Sequence, residues 1–510
     1  MSESADKNNN QVSKRRLINY RPLFEFALGM MAGIVICAPL GDTLRYVAAA
    51  VLGVVGIVLV AIGQKRLGII AISALLGLTL ALGALPKPFY EGTAELTGVI
   101  SDIEDDGDKT VLILTDAAVA GTKFNKRVRL TLDASDKYEV GDGIMTVASV
   151  KKPSRKFGTY DEFKVRLASG VGCVAQAKSA FVESKNNLPV KELIVSVRLA
   201  IIRRIKSAFG DDSAVFSALL VGDRSELTDE RYAPFRASGT AHLLAISGFH
   251  VGIIAGVLTA LLKRLKSGAR TAITAAFLLF YCALTAFTPG VVRASIMLVA
   301  LMCAGCFERR GDQLSALSLA AILILAVNPY QIYSLGFQLS FAAVFGIALY
   351  MRQIGEMFHK AKLGEWLSSS AAVCISATLG TLALQIRAFS AFSPYTLISN
   401  LVAVPAFSVI VVLGLISTVL AFIYPPAAQM LAYIPRTVLN AAEWALGGIS
   451  SLPYASLSLK PLPILVCAIY LAVLFILSEY ILRPIKKRLC YAAALITIFT
   501  IAYVISIIIV

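Results

Sequence analysis

The chain has 510 residues, of which 57% are hydrophobic and only 16% charged, with a mean hydropathy of +0.74. A soluble protein carries about a quarter charged residues, so that class is excluded, and apolar runs near the ~20 residues that cross a bilayer recur along the chain. The net charge of +16 gathers in short clusters between those runs: Lys14–Arg16, Lys65–Arg66, Lys263–Arg270, Arg309–Arg310, Lys360–Lys362 and Arg483–Arg488. Short positive loops favour the cytoplasmic side, which accounts for the excess as topology and makes it weak grounds for a polyanionic partner.

In chain order, residues 1–21 are a polar, basic tail expected in the cytoplasm. Three spans at roughly 22–40, 46–63 and 67–85 make a first helical unit, 22–85, and deliver the chain to the outer face. The first resembles a signal h-region, but two spans come directly after it and it reads as retained. Pro86-Lys87-Pro88 marks a boundary, and over 90–186 short alternating runs replace long apolar ones. Glu95–Ile103, Thr110–Thr115, Arg127–Asp133, Ile144–Val150 and Gly172–Val182 read as strands, with turns at Asp106-Gly107 and Asp142-Gly143. Five strands without a competing helix pattern predict a small extracytoplasmic sandwich or barrel, with an OB-like barrel as one candidate.

Residues 191–209 come next as an amphipathic helix. Ile194, Val197, Ile201, Ile205 and Ala208 line one face, which suits the membrane interface or the rim of a bundle equally. From 214 to 510 come about ten further hydrophobic segments. Leu314–Val327 is short, Leu397–Tyr424 holds Pro405, and Pro425-Pro426 and Pro435 interrupt the segment after Tyr424. Broken helices are tolerated where they line a cavity, so this half is expected to be a transport core. The fold class is a polytopic α-helical membrane protein with an inserted small β-barrel.

Two of the three histidines, His242 and His250, fall in the apolar run Ser238–Gly256, and ionisable groups at membrane depth tend to face a protein interior or a wet path. Ser238 or Thr240 is expected to cap a helix that His242 opens. Eight residues then separate the histidines by about 12 Å, too far for one metal ion, and neither a metal nor a cofactor is expected. Cys303 and Cys306 have C-x-x-C spacing on a hydrophobic helix without a second pair. The histidines either bond neighbouring helices or line a polar conduit. Arg293, Asn328, Gln338, Ser340, Gln385, Arg387 and Asn400 add polar groups to apolar surroundings, each alone a helix–helix contact, together enough to wet a pore.

In the soluble segment, Lys151, Lys152, Arg155 and Lys156 precede Phe157, Tyr160 and Phe163. Basic residues interleaved with aromatics serve single-strand binding, and serve equally as a face on anionic headgroups. Ala245-Ile246-Ser247-Gly248 has a faint likeness to the nucleophile segment of an intramembrane serine protease. The leading glycine is missing, and His250, three residues on, is expected to be badly placed to act as base for Ser247.

Several segments together resemble the ComEC family of competence proteins. They are Leu219–Arg224 (LLVGDR), Phe235–Gly256 (FRASGTAHLLAISGFHVGIIAG), Pro289–Met297 (PGVVRASIM), Asn328-Pro329, Gly336–Ala342 (GFQLSFA) and Ser399–Pro405 (SNLVAVP), with Phe157–Leu167 (FGTYDEFKVRL) in the soluble part. The resemblance implies a multi-pass channel of the bacterial cytoplasmic membrane that passes single-stranded DNA inward during transformation. It makes His242, Ser247, Gly248, His250, Arg293, Asn328, Gln338 and Asn400 conduit candidates, singles out Gly222, Asp223 and Arg224 as motif residues, and gives the 151–163 stretch a DNA-gripping role. The implied partners are single-stranded DNA, the lipid bilayer, an outer DNA receptor, a cytoplasmic motor and a separate nuclease; a homo-oligomer stays open. Many members end in a metallo-β-lactamase-like domain. This chain has no His-x-His-x-Asp-His cluster and no G-x-x-x-x-G-K-[ST] loop, so the expectation is a short form without nuclease or ATPase activity. The rival readings are a transporter of another anionic substrate and, last, the protease.

Overall fold

The computed structural model describes residues 21–37, 42–106, 109–133, 138–153, 161–185, 189–244, 246–306, 312–361, 364–481 and 483–509. The basic tail therefore lies outside the described residues except Arg21. Helices α1 (Pro22–Cys37), α2 (Asp42–Ala61) and α3 (Lys65–Gly83) form the first unit. Between α1 and α3, Gly33 and Gly77 face Ala74 O and Met30 O so closely that any side chain would overlap them. Small residues let the two backbones approach where lipid supplies no hydrophobic drive to pack helices.

The next segment builds one sheet from β1 (Gly92–Asp106), β2 (Lys109–Val119), β3 (Thr122–Lys123), β4 (Arg127–Leu132), β5 (Asp142–Lys151), β6 (Val171–Ala177) and β7 (Phe181–Lys185). Its order is β1-β2-β4-β6-β5, closed by a β5–β1 pairing from Gly92↔Val150 to Val99↔Gly143. All pairs are antiparallel except β4–β6. That closed five-strand order with one parallel pair makes the barrel OB-like. Leu96, Leu112, Leu114, Val128, Leu130 and Val150 fill the interior. The expected strand Gly172–Val182 is two strands, because the chain leaves β6 after Ala177 and returns as β7 along the same edge of β5, at its other end. A short helix that the alternation concealed, α4 (Glu162–Ala168), precedes β6; Asp161 caps it by accepting the Lys164 N–H.

Helix α5 (Pro189–Phe209) leads into the larger bundle, its Val197, Ile201, Ile205 and Ala208 packed inward. After it come α6 (Ser213–Leu220), α7 (Asp229–Ala237), α8 (Gly248–Leu261), α9 (Ser267–Leu284), α10 (Pro289–Cys306), α11 (Gln313–Val327), α12 (Leu335–Lys360), α13 (Glu365–Phe389), α14 (Thr396–Ile423), α15 (Pro425–Ser450), α16 (Ile464–Leu477) and α17 (Ile485–Ile509). A two-stranded pair, β8 (Ala391–Phe392) with β9 (Leu457–Ser458), ties the α13–α14 turn to the segment after α15. Among the described residues, seven helices are long and apolar enough to cross a membrane: α2, α3, α9, α10, α12, α13 and α14. The chain is a polytopic helical membrane protein carrying a small barrel.

The prolines do not break helices as the sequence predicts. Pro425 and Pro426 occupy the first turn of α15, where backbone N–H groups have no helical partner anyway. Pro405 and Pro435 sit inside α14 and α15, which continue through them. An interior proline costs about 3 kcal/mol; buried Ala428, Ala432, Leu439 and Leu446 bracket Pro435 and hold α15 against the core on both sides of it.

Candidate functional site

The interruption falls elsewhere, inside the run that reads as one span from Thr240 to Leu262. Residues Ala241–Leu243 form a single 3-10 turn, Ile246 and Ser247 are non-helical, and α8 begins only at Gly248. At 14 residues α8 is about 21 Å long, short of the ~30 Å hydrocarbon core. Ser238 and Thr240 do not cap it. Their hydroxyls bond each other at 2.8 Å and the Thr240 N–H returns to Phe235 O at 2.8 Å, so both finish α7 instead of starting the next helix.

The true cap is Ser247, with extended backbone at φ −126° and ψ 174°. Its N–H donates to His250 Nδ1 at 3.2 Å, and its Oγ lies 3.1 Å from the same nitrogen. This is a capping box with histidine in the place usually taken by Glu or Gln. Two expectations fall with it. His242 and His250 do not share a helix, and His250 does reach Ser247, because a residue outside the first turn and one at its third position face each other. The contact is not a nucleophile–base pair with a free base: Nδ1 already accepts a backbone N–H. His250 is fully buried and its Nε2 has no partner among the described residues.

The N-terminus of α10 lies against this cap, and that of α12 lies against the start of α10. A Cβ on Gly290, in the first turn of α10, would stand 3.5 Å from Ile246 O. One on Gly336, in the first turn of α12, would stand 3.9 Å from Pro289. One on Gly248 would press to 2.8 Å from Arg293 Nη2. Only at Gly248 does the approach require glycine; at Gly290 and Gly336 a methyl would make ordinary contacts. Each N-terminus contributes roughly half a positive charge, and Arg293 adds a whole one. Arg293 is 5% exposed, its Nη1 donates to Ser340 O at 2.8 Å, and its guanidinium carbon lies 6.0 Å from the Phe341 ring centre. Among the described residues no carboxylate pairs with it, and its Nε has no acceptor. The hydroxyl of Thr288, just before α10, is also buried without a partner among the described residues.

Ser247, Gly248, His250 and Arg293 are thus brought together. His242 sits just before the break, in the 3-10 turn, with its side chain exposed. Gln338 lies one turn into α12 and donates to Ile332 O at 2.9 Å. Gly222 holds a left-handed φ of +78° after α6, against Ile246, while Asp223 accepts from the Ser225 N–H and hydroxyl, and Arg224 is exposed. Asn400 lies on α14 and donates to Cys374 Sγ at 3.4 Å. Asn328 is placed at the barrel: its Nδ2 donates to Leu167 O at 3.2 Å and Ala168 O at 2.9 Å, the last carbonyls of α4. Gln331 donates to Ala168 O at 2.9 Å, and the Lys164 ammonium stands 5.3 Å from the Tyr333 ring centre. The barrel is docked through α4 onto the 3-10 turn Pro329–Tyr333, which leads directly into α12. Of the basic-aromatic stretch, Lys151 and Lys152 are exposed and Phe163 half-buried; Arg155, Lys156, Phe157 and Tyr160 lie outside the described residues. The stretch spans the β5–β6 connection, in strand order the loop between the barrel's fourth and fifth strands, one of the two that OB-folds use for ligands.

Sequence reasoning passed over Thr288 and Gln331, and held Gly290 and Gly336 only as members of motif segments. It also missed the ion network of Asp212 with Arg231 and Arg436, in which Arg231 further meets Glu443 at 3.2 Å. The readable signal was a glycine near the helix start in each of SGFH, PGVVR and LGFQ.

Fold and site define a multi-pass membrane protein with a docked OB-like barrel and a buried, cationic meeting point of helix ends. A family model described as Competence protein matches residues 219–484, and the chain belongs to that family. It is 33% identical over 233 residues to ComE operon protein 3 of Bacillus subtilis, covering 45% of this chain and 29% of that one. It is 32% identical over 295 residues to Competence protein ComA of Neisseria gonorrhoeae, covering 54% and 40%. Recombination protein 2 of Haemophilus influenzae is 23% identical over 336 residues, covering 62% and 42%. The chain spans less than half the length of these three relatives. No solved structure matches it.

Proposed function

We propose that this chain carries single-stranded DNA across the bacterial cytoplasmic membrane during transformation. Membership in the Competence protein family supports the reading. The observation that carries it is the docking of an OB-like barrel, through Asn328 and Gln331, onto the turn that opens α12. A strand gripped at the β5–β6 loop, by Lys151 and Lys152 with Arg155, Lys156, Phe157, Tyr160 and Phe163, is handed toward the buried guanidinium of Arg293 in the helical core. Single-strand binders use such basic, aromatic-studded surfaces. His242, Ser247, Gly248, His250, Arg293 and Gln338 stand at or beside the core end of that path, Gly222, Asp223 and Arg224 border it, and Asn328 and Asn400 hold the neighbouring elements in place.

In this arrangement the N-terminus is cytoplasmic and the barrel faces outward, where an outer DNA receptor delivers the strand. A cytoplasmic motor supplies the driving force and a separate nuclease removes the complementary strand; this chain is assigned no catalytic step. The test is uptake of end-labelled duplex DNA in the host, comparing deletion, wild type and His242→Ala. The deletion strain is expected to retain DNA outside and to lose nuclease-protected single strands inside. His242→Ala should insert in the membrane and behave likewise. Unchanged cytoplasmic DNA in a competent deletion strain refutes the proposal and leaves transport of another anionic substrate in its place.

A further inference from the structure

The convergence of α8, α10 and α12 holds more positive charge than its surroundings neutralise. A guanidinium has five N–H donors and cannot discharge. Arg293, at 5% exposure, spends Nη1 on Ser340 O. On the edge formed by Nε and Nη2, the one that meets two oxygens of a carboxylate or phosphate side by side, Nε has no acceptor among the described residues. Nη2 lies against Gly248, the first residue of α8, where the Gly248 and Phe249 N–H groups also find no acceptor among the described residues. The unpartnered Thr288 hydroxyl and His250 Nε2 are further buried polar atoms on the same elements. A charge this deep without a counter-ion is costly, and a half-helix N-terminus at membrane depth is a device for holding anionic groups.

We propose that Arg293 and the first amides of α8 form a discrete binding site for one phosphate group, and that its natural occupant is a phosphodiester of the passing DNA strand. The phosphate sits on the Nε–Nη2 edge of Arg293, within reach of the Gly248 and Phe249 amides. The site stands on its own geometry and rests on the DNA reading only for the identity of the occupant. A single seat of this kind, relieved each time the strand advances by one phosphate, favours entry without holding the polymer.

The test is thermal unfolding of the full chain in detergent, titrated with inorganic phosphate against chloride at matched ionic strength. Anything that binds only the folded state raises its melting point in a saturable way. Wild type is expected to show that rise, and Arg293→Gln to lose it or to need about tenfold more phosphate or beyond. Gly248→Ala keeps the charge but pushes Nη2 off the helix start, and carries the same expectation should Arg293→Gln not fold. No phosphate-specific rise in wild type, or variants that respond as wild type does, overturns the site. In a second arm, a short oligothymidylate replaces phosphate. Protection of wild type beyond that of Arg293→Gln supports the phosphodiester as occupant, since both variants leave the barrel untouched. Protection instead by phosphatidylglycerol nanodiscs relative to phosphatidylcholine overturns that assignment in favour of a lipid headgroup. Phosphate binding that depends on Arg293 in a protein whose deletion leaves DNA uptake unchanged would keep the site and remove the DNA reading.

Discussion

Removing the side chains that dock the barrel should release it without unfolding it. In Asn328→Ala/Gln331→Ala the last carbonyls of α4 lose three hydrogen bonds from two amide groups: Asn328 Nδ2 on Leu167 O and Ala168 O, and Gln331 Nε2 on Ala168 O. A net hydrogen bond contributes about 0.5–1.5 kcal/mol. The cap that Asn328 Oδ1 gives the Tyr330 N–H adds about 1 kcal/mol. Because these groups are only partly buried, the low end of the range applies to each of the three bonds, and with the cap the sum is roughly 2–3 kcal/mol. Each 1.4 kcal/mol is tenfold in an equilibrium, so amide exchange in α4 and in Pro329–Tyr333 should accelerate about 30- to 150-fold. The interior of the barrel, from Leu96 to Val150, contains no α4 residue, so β2 and β4 should keep their protection. Hydrogen–deuterium exchange read by mass spectrometry monitors both regions at once. Exchange in α4 within a factor of about three of wild type, or equal loss in β2 and β4, refutes the docking argument.

Asp212→Asn should destabilise the helical bundle by about 3 kcal/mol, since it leaves Arg231 and Arg436 facing a neutral group; the low end applies because the Arg436 side chain is 40% exposed, and an unchanged melting point would contradict it. Gly346→Ala should cost about 1–3 kcal/mol, because a methyl there overlaps Ser376 O and meets the Gly380 Cα at 2.9 Å across α12 and α13; a variant as stable as wild type in denaturant would show that the seam yields. Cys173 is fully buried in the barrel, which pushes its thiol up to about 12 from an ordinary 9. Peptide mapping after maleimide treatment at neutral pH should find Cys173 unmodified unless the barrel is unfolded first. Between pH 9 and 12 the unfolded thiol releases its proton while the folded one keeps it, so this group's contribution to stability is complete below pH 9 and is lost as pH rises.

The amino-acid sequence alone determined the class of this protein. Long apolar runs at a chain-wide excess can be buried only by lipid, and the change to alternating runs after Pro88 is a local property of strands, so both were legible residue by residue. The motif segments around Gly248, Arg293 and Gly336 were legible as candidates too. Their reason was not, because it lies in the meeting of three helix starts far apart in the chain.

Tertiary structure decided where the spans break. Pro405 and Pro435 carry the local signal for a break and are overruled by packing on both sides. The run 240–262 carries no such signal and breaks at Ser247, where the ends of α10 and α12 and the side chain of His250 offer the chain a better cap than Thr240 does. It decided the barrel's closure as well, since the parallel β4–β6 pairing joins strands separated by β5 and α4, which alternation cannot encode. Asn328, read as a polar group for the conduit, is turned onto the barrel by a contact with α4 about 160 residues away. A side chain's type sets which bonds it can make; only the packed fold sets which partner is within reach.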